Sequence, residues 1–286
     1  MKLENGEYLG KNSQTFYADG LIISKTVYRE KVFEGWHYHQ NNHLSFILNG
    51  GNREYRHHTD KIILPGNIVL YHSGEWHRNC HTQHPSHNIN LEIEDRFLQQ
   101  YEACFNRSHI AFKPLHTLQE LTSGITAISQ RNRLTQTNAW LTAIRIYHDC
   151  KAGDIHTATS VHLQLLSLLQ AATGKPKEEK YLFGGNTEKI IELLHDRWNE
   201  SVSLQELSSV SGLHPVTVSR HFAAYFDCSL GEYMRRIRIQ KALFLVRQPD
   251  ISLTDIAYRC GFFDQSHFIR AFKTQTGFLP GAFRKL

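Results

Sequence analysis

Apolar positions change their period along this chain. In the first third they fall in short runs broken by turn residues: 21–28, 44–48, 61–64, 68–71 and 88–93. Pro65 and Gly66, and the trio Asn49, Gly50 and Gly51, read as turns between them. Several short strands at such spacing predict a barrel or jelly roll. From about residue 94 the period lengthens, and 94–105, 117–130, 135–150 and 157–172 read as helices. The last has a wide apolar face of Val161, Leu165, Leu166, Leu168 and Leu169, which must pack on neighbouring helices or pair with a second chain. A charged stretch with Gly and Pro, 174–186, reads as a linker.

The last hundred residues repeat themselves. Ser203 to Gly212 recurs as Ser252 to Gly261, and Arg220 and Phe222 are answered by Arg270 and Phe272. A fixed internal period means one structural unit used twice. Ser203 with Glu206 is a capping box, and Ser252 with Asp255 repeats it. Leu204, Leu207 and Val210, then Leu253 and Ile256, recur at helical spacing. Gly212 and Gly261 stand where each first helix must end. Pro215 suits a first helical turn and Asp264 an N-cap. Each unit is therefore a helix-turn-helix. The second helices bury Val218 with Phe222, and Phe268 with Phe272, and carry polar residues opposite. Residues 229–246 form a connecting helix with Tyr233, Ile237, Ala242, Leu243 and Val246 on one stripe and Arg235, Arg236, Arg238 and Lys241 interrupting it. A stiff connector suits two helices entering successive major grooves, about 34 Å apart. Its cations either meet phosphates or form a solvated face.

This C-terminal stretch resembles the DNA-binding domain of the AraC/XylS family of bacterial transcription regulators. The likeness rests on Ile256, Ala257, Gly261, Phe262, Asp264, Phe268, Arg270, Phe272, Lys273, Gly277, Pro280, Phe283 and Arg284, and covers about a third of the chain. It implies that Val216, Ser219 and Arg220, then Gln265, Ser266 and Arg270, face bases, while Thr217 and His267 meet phosphates. Asp227 and Leu230 depart from the family's glycine and proline, matched here by Gly277 and Pro280. The family often dimerises through helices that follow its N-terminal barrel, so a homodimer is expected, with operator DNA as partner and RNA polymerase as a further one.

Ten of the 19 histidines lie between residues 37 and 87. His37, His39, His43 and Gly50, then Gly66, His72 and His77, are spaced in a way that resembles the two cupin motifs, with His43 in the place of a glutamate. Strand alternation puts His37 and His39 on one face. If they converge with His43 and His77, four imidazoles suit zinc, nickel, copper or iron. The same residues also suit hydrogen bonding to a small organic effector, with Trp36, Tyr38, Tyr71 and Trp76 as apolar walls; some of these aromatics are instead expected in the core. The effector pocket is thus expected at Trp36, His37, Tyr38, His39, Tyr71 and His77. His57 and His58 read as an exposed turn, and His81, His84 and His87 as loop residues.

The expectation is an α+β protein with four segments: a cupin-like barrel over 1–95, a helical dimerisation segment over 96–173, the linker, and a double helix-turn-helix over 187–286. Net charge is +5, and residues 187–286 hold 13 Lys and Arg against 10 Asp and Glu, so nonspecific phosphate attraction is modest. Five cysteines without a C-x-x-C pair read as reduced thiols in a cytoplasm. The polar N-terminus lacks a signal-peptide core, and no run reaches membrane-spanning length. P-loop, G-x-S-x-G and H-E-x-x-H signatures are missing, so an effector-controlled regulator is favoured over an enzyme. The alternatives are a metal cupin enzyme (oxygenase or isomerase) or a metal sensor fused to the DNA-binding domain. Family analogy points to a sugar or other polar metabolite as effector.

Overall fold

The computed structural model describes residues 1–57, 59–97, 99, 133–173, 183, 185–226 and 228–286. They divide into two compact units, Met1–Thr173 and Gly174–Leu286. No helix among the described residues is long and apolar enough to cross a membrane.

The first unit is built on antiparallel strands. They are β1 (Lys2–Leu3), β2 (Lys11–Tyr17), β3 (Leu21–Tyr28), β4 (Tyr38–His39), β5 (Asn42–Arg56), β6 (Thr59–Ile63), β7 (Ile68–Tyr71) and β8 (His77–Ile93). The main sheet runs β2-β3-β8-β5-β6, with β7 also paired to β5, and β1 pairs in parallel with β4. Strand β3 is buried at Leu21, Ile22, Ile23, Ser24, Lys25, Thr26 and Val27 alike, and Ser24 and Thr26 are satisfied from across the sheet. Asn90 on β8 donates to Ser24 at 3.3 Å and to Thr26 at 2.8 Å, and accepts from Ser45 on β5 at 2.6 Å.

Two expectations fail here for one reason. Asn49, Gly50 and Gly51 do not turn the chain; they lie inside β5, where its pairing with β8 shifts register three times. Gly50 and Gly51 have φ of 76° and 130°, and a Cβ on Gly51 would sit 2.1 Å from the Ile63 carbonyl oxygen. These glycines make bulges that bend a long strand, a use of Gly that a local reading confuses with a turn. His81, His84 and His87 are likewise strand residues of β8, not loop residues, because β8 pairs along nearly its whole length with β5 and β3.

Helices α1 (Arg133–Ala152) and α2 (Thr157–Thr173) complete the unit. Trp140 packs edge-on to Phe46 at 5.5 Å and donates to the Gly66 carbonyl at 2.8 Å. Tyr147 bonds Gln14, and His162 bonds the Ala18 carbonyl at 2.9 Å. Val161, Leu165, Leu168 and Leu169 are buried within this unit, so α2 spends most of its apolar face at home. The helix expected over 117–130 lies outside the described residues. That over 94–105 is described only at residues 94–97 and 99, of which 95–97 and 99 are helical.

The second unit is helical: α3 (Thr187–Asp196), α4 (Leu204–Ser211), α5 (Pro215–Phe226), α6 (Leu230–Val246), α7 (Leu253–Arg259), α8 (Gln265–Thr276) and α9 (Pro280–Arg284). Local chemistry sets their ends. Ser203 and Glu206 cap each other reciprocally, and Gly212 ends α4 at φ 71°. Ser252 accepts from the Asp255 N–H, and α7 closes with the Phe262 N–H on the Ala257 carbonyl and the Gly261 N–H on Tyr258. That bond pair is a Schellman closure, which needs the left-handed backbone that Gly261 adopts at φ 72°. Asp264 caps α8, accepting from the His267 N–H. Tyr233, Ile237, Ala242, Leu243 and Val246 of α6 are buried, as are Met234 and Ile239, so the helix is buried on more than one side rather than along the single stripe expected. Phe222 packs against Tyr233, and Phe268 against Phe272 and Phe262.

Candidate functional site

In the first unit the strands bring histidines together from distant positions. The His37 N–H donates to the His77 carbonyl and the His77 N–H to that of His37, both at 2.9 Å. This reciprocal bridge places the start of β8 beside the β4 segment. Strand β1 holds the other side of β4, through the Tyr38 N–H on the Met1 carbonyl and the Gln40 N–H on Leu3. Gly74 in the turn after β7 donates to the His39 carbonyl at 3.0 Å. His37, His39 and His77 are buried, with ligand nitrogens all within 4.8 Å of one another. His43, on β5, does not join that group. Its ring lies 4.2 Å from His39 and stacks on Tyr71 at 4.6 Å, held opposite Tyr71 by the β5–β7 register. The expected four-histidine set is thus three converging imidazoles and one neighbour.

Their protonation follows from their surroundings. Nδ1 of His37 is 3.0 Å from the Gly35 carbonyl, and Nδ1 of His77 is 3.0 Å from that of Glu75. A carbonyl only accepts, so both Nδ1 atoms carry hydrogen and both Nε2 atoms keep a lone pair. Nε2 of His77 and Nδ1 of His43 are buried with no hydrogen-bond partner. Burial pushes all four rings below the ordinary histidine range, with neighbouring imidazoles adding to it at His39, His43 and His77. His43 and His77 are each pushed down to about 3. The cluster is therefore neutral at pH 7 and offers lone pairs, with second-sphere carbonyls orienting two of its rings. Three neutral imidazoles whose ligand nitrogens lie within 4.8 Å of one another are a donor set that suits a transition-metal ion such as zinc.

The aromatic surroundings are not those expected from the sequence. Tyr71 is buried and lies 4.3 Å from His77. Trp36 and Trp76 are exposed; Tyr38 packs on Trp76, and Arg78 lies over Trp36. Adjacent strand residues point to opposite faces, so Trp36 and Tyr38 face away from the neighbours that enter the cluster. His57 is exposed in a turn, as expected, and His58 lies outside the described residues. Sequence reading missed Tyr8, whose ring sits 5.5 Å from His39 and 5.4 Å from His43 and whose hydroxyl donates to Glu92 at 3.0 Å. It also missed Arg56, which lies over the Tyr71 ring and bonds Glu54 and Glu75 at 2.7 Å each. No spacing rule links residues 8, 56 and 92; only the packing of the folded unit does.

In the second unit the proposed reading faces are accessible. Val216, Ser219 and Arg220 on α5 are exposed, with Thr217 half-buried beside them. On α8, Ser266 and Arg270 are exposed, and Gln265 and His267 half-buried. Val218, Phe222, Phe268 and Phe272 on the opposite faces are buried. Val216 at 61% and Phe263 at 87% exposure are large apolar side chains left in solvent at the starts of the two helices. The connector's cations are largely engaged inside the unit. Arg235 and Arg236 both pair with Glu232, which also accepts from Gln275 of α8. Arg238 donates to the carbonyls of Trp198 at 3.1 Å and Glu200 at 2.7 Å. Of the four, only Lys241 stands fully exposed. Leu230 occupies the first turn of α6 behind the Ser229 cap, as Pro280 does in α9, so the departure from proline leaves a helix start intact. Asp227 lies outside the described residues.

Residues 207–286 match the family model described as a helix-turn-helix domain. The HTH-type transcriptional activator RhaS of Enterobacter sp. (strain 638) is 34% identical over 97 residues, which are 34% of this chain and 35% of that protein. RhaS of Escherichia fergusonii is 29% identical over 175 residues, 59% of this chain and 55% of that one. The chain thus spans about a third to about half the length of the curated relatives it matches. Among solved structures, ToxT from Vibrio cholerae aligns over 92% of this chain and 98% of its own, at 13% identity and a TM-score of 0.35. The fold and its exposed helical faces define the second unit as a helix-turn-helix DNA-binding domain. Over that domain the chain is similar to the AraC-type regulators whose helix-turn-helix region it matches.

Proposed function

We propose that this protein is a bacterial transcription regulator that binds operator DNA through α5 and α8, under control of an effector bound in its first unit. The observation that carries this reading is the duplicated, capped helix pair, which buries one face of each second helix and leaves Ser219, Arg220, Ser266 and Arg270 free. In this reading each pair is a helix-turn-helix, the largely buried α6 sets their separation, and recognition helices enter the major groove with their N-terminal residues at base edges. RNA polymerase is the further partner, and the cytoplasm the place of action. The first unit is read as a cupin-type barrel, supported by the bulges that bend β5. A homodimer would form through the helical segment 96–173, where Leu163 is the large apolar side chain that α2 leaves exposed.

The histidine cluster favours a second reading of the effector site. His37, His39 and His77 would hold a transition-metal ion such as zinc, nickel, copper or iron, which would supply charge and a Lewis-acid centre. The orphaned Nε2 of His77 is what supports it, since a buried imidazole nitrogen without a partner costs stability unless something occupies it. A metal sensor, or a metal cupin enzyme joined to a DNA-binding domain, are the forms this reading takes.

Selection of duplexes from a randomised pool by the full-length protein tests the main reading. Sequence-selective binding is expected, and Arg270→Ala is expected to weaken it by about 1–3 kcal/mol if the guanidinium reads a guanine. Binding with no sequence preference would overturn the assignment. Metal content of the purified protein, compared with His37→Ala and His77→Ala, tests the second reading. Chelator-sensitive DNA binding would mark a sensor, and turnover an enzyme.

A further inference from the structure

The two helix pairs differ at one point where the second would meet DNA. Thr254, exposed in the first turn of α7, donates its hydroxyl hydrogen to Oε1 of Gln265 at 2.7 Å. Gln265 is the first residue of α8. The bond therefore crosses from the supporting helix to the reading helix. It ties down the side chain that stands at the N-terminal end, where recognition helices approach base edges. Asp264 immediately before it is held by its own cap bond to the His267 N–H at 2.7 Å, so the backbone under Gln265 is set as well. Among the described residues the Gln265 amide NH2 has no partner. The first pair has nothing equivalent: the matching positions are Gln205 and Pro215, and Pro215 has no side-chain polar group to orient.

The chemistry follows from which end of the amide is occupied. A free glutamine pairs with adenine by accepting from N6 and donating to N7. With Oε1 directed at Thr254, the groove is offered the two N–H donors. Those fit an acceptor edge: purine N7, guanine O6 or thymine O4. Cytosine presents only the N4 donor there and is rejected. We propose that Thr254 is a specificity-determining positioning residue, which holds Gln265 as a donor so that the second helix pair reads an acceptor edge at one base position. This rests on the docking of α8 in the major groove proposed above.

The experiment is selection from a randomised duplex pool with full-length wild type, Thr254→Val, Thr254→Ser, Gln265→Ala and the Thr254→Val/Gln265→Ala pair. At one base position the wild type should exclude cytosine. Thr254→Val should move that position toward adenine by about fivefold or more, the low end of one bidentate base contact. Affinity for the best duplex should stay within about threefold. Thr254→Ser keeps a hydroxyl and should keep the wild-type profile. Gln265→Ala should flatten that position, and the double variant should match it. A Thr254→Val profile equal to wild type, while Gln265→Ala flattens one position, overturns the role of Thr254 alone. An even loss of affinity across all positions in Thr254→Val overturns it too, as a folding effect. If Gln265→Ala changes no position, the docking itself is wrong and the proposal falls with it.

Discussion

The two units hold their polar groups by opposite strategies. In the second, the bonds that set the helix ends join residues three apart, Ser203 with Glu206, Ser252 with Asp255 and Asp264 with His267, and only the ties between helices, such as Gln275 to Glu232, reach further. In the first they join residues dozens apart: Ser45 with Asn90, Thr26 with Asn90, Asn41 with Glu92, Tyr8 with Glu92. The difference teaches where function can be moved without loss of fold. A helix cap is a local device that leaves the outer helix face free for recognition. A buried strand network assembles a closed site from many segments, and every member is shared with the core.

That contrast can be broken at its strongest point first. Gly261→Ala puts a Cβ 2.0 Å from the Asn199 carbonyl oxygen and demands φ near 72° of a residue with a side chain. A loss of about 3 kcal/mol or more is expected in denaturant unfolding. A near-neutral result would show that the close approach of Asn199 relaxes easily. Next, Asn90→Ala strips partners from Ser24, Thr26 and Ser45 at once, and about 2 kcal/mol should be lost. Ser252→Ala removes one exposed cap and should cost about 1 kcal/mol. If Ser252→Ala costs as much as Asn90→Ala, local and long-range wiring are not energetically distinct.

A further effect is graded and concerns pH. His43 and His77 have folded-state values of about 3, below the ordinary 6.5, so the unfolded chain binds protons that the folded one refuses. Stability therefore rises with pH through this range. In the metal-free protein the first unit should lose stability progressively as pH falls below about 6.5, continuing toward about 3. Thermal unfolding between pH 7 and 5 should show it, and a transition independent of pH would count against buried, neutral imidazoles.

Much of this protein was legible before any coordinates. The caps at Ser203, Ser252 and Asp264 were, because Ser, Glu and Asp act on N–H groups within one turn. So were the buried phenylalanines of α5 and α8, because a helix repeats its face every three or four residues. The pairing of His37, His39 and His77 was partly legible, since alternation puts the first two on one face. What alternation cannot say is which distant strand lies alongside. The placing of His43 opposite Tyr71 and the bulging of β5 at Gly50 and Gly51 were settled by cross-strand register, and the exposure of Trp36 and the approach of Tyr8 by how the segments between strands pack. The bond from Thr254 to Gln265 belongs to the same class, because it joins two helices whose mutual placement comes from packing. Sequence by itself determined the elements whose stabilising partners are neighbours in the chain. Tertiary structure alone decided every contact whose partners meet only after a long loop has closed, where the packing of the whole unit, rather than local preference, selects the geometry.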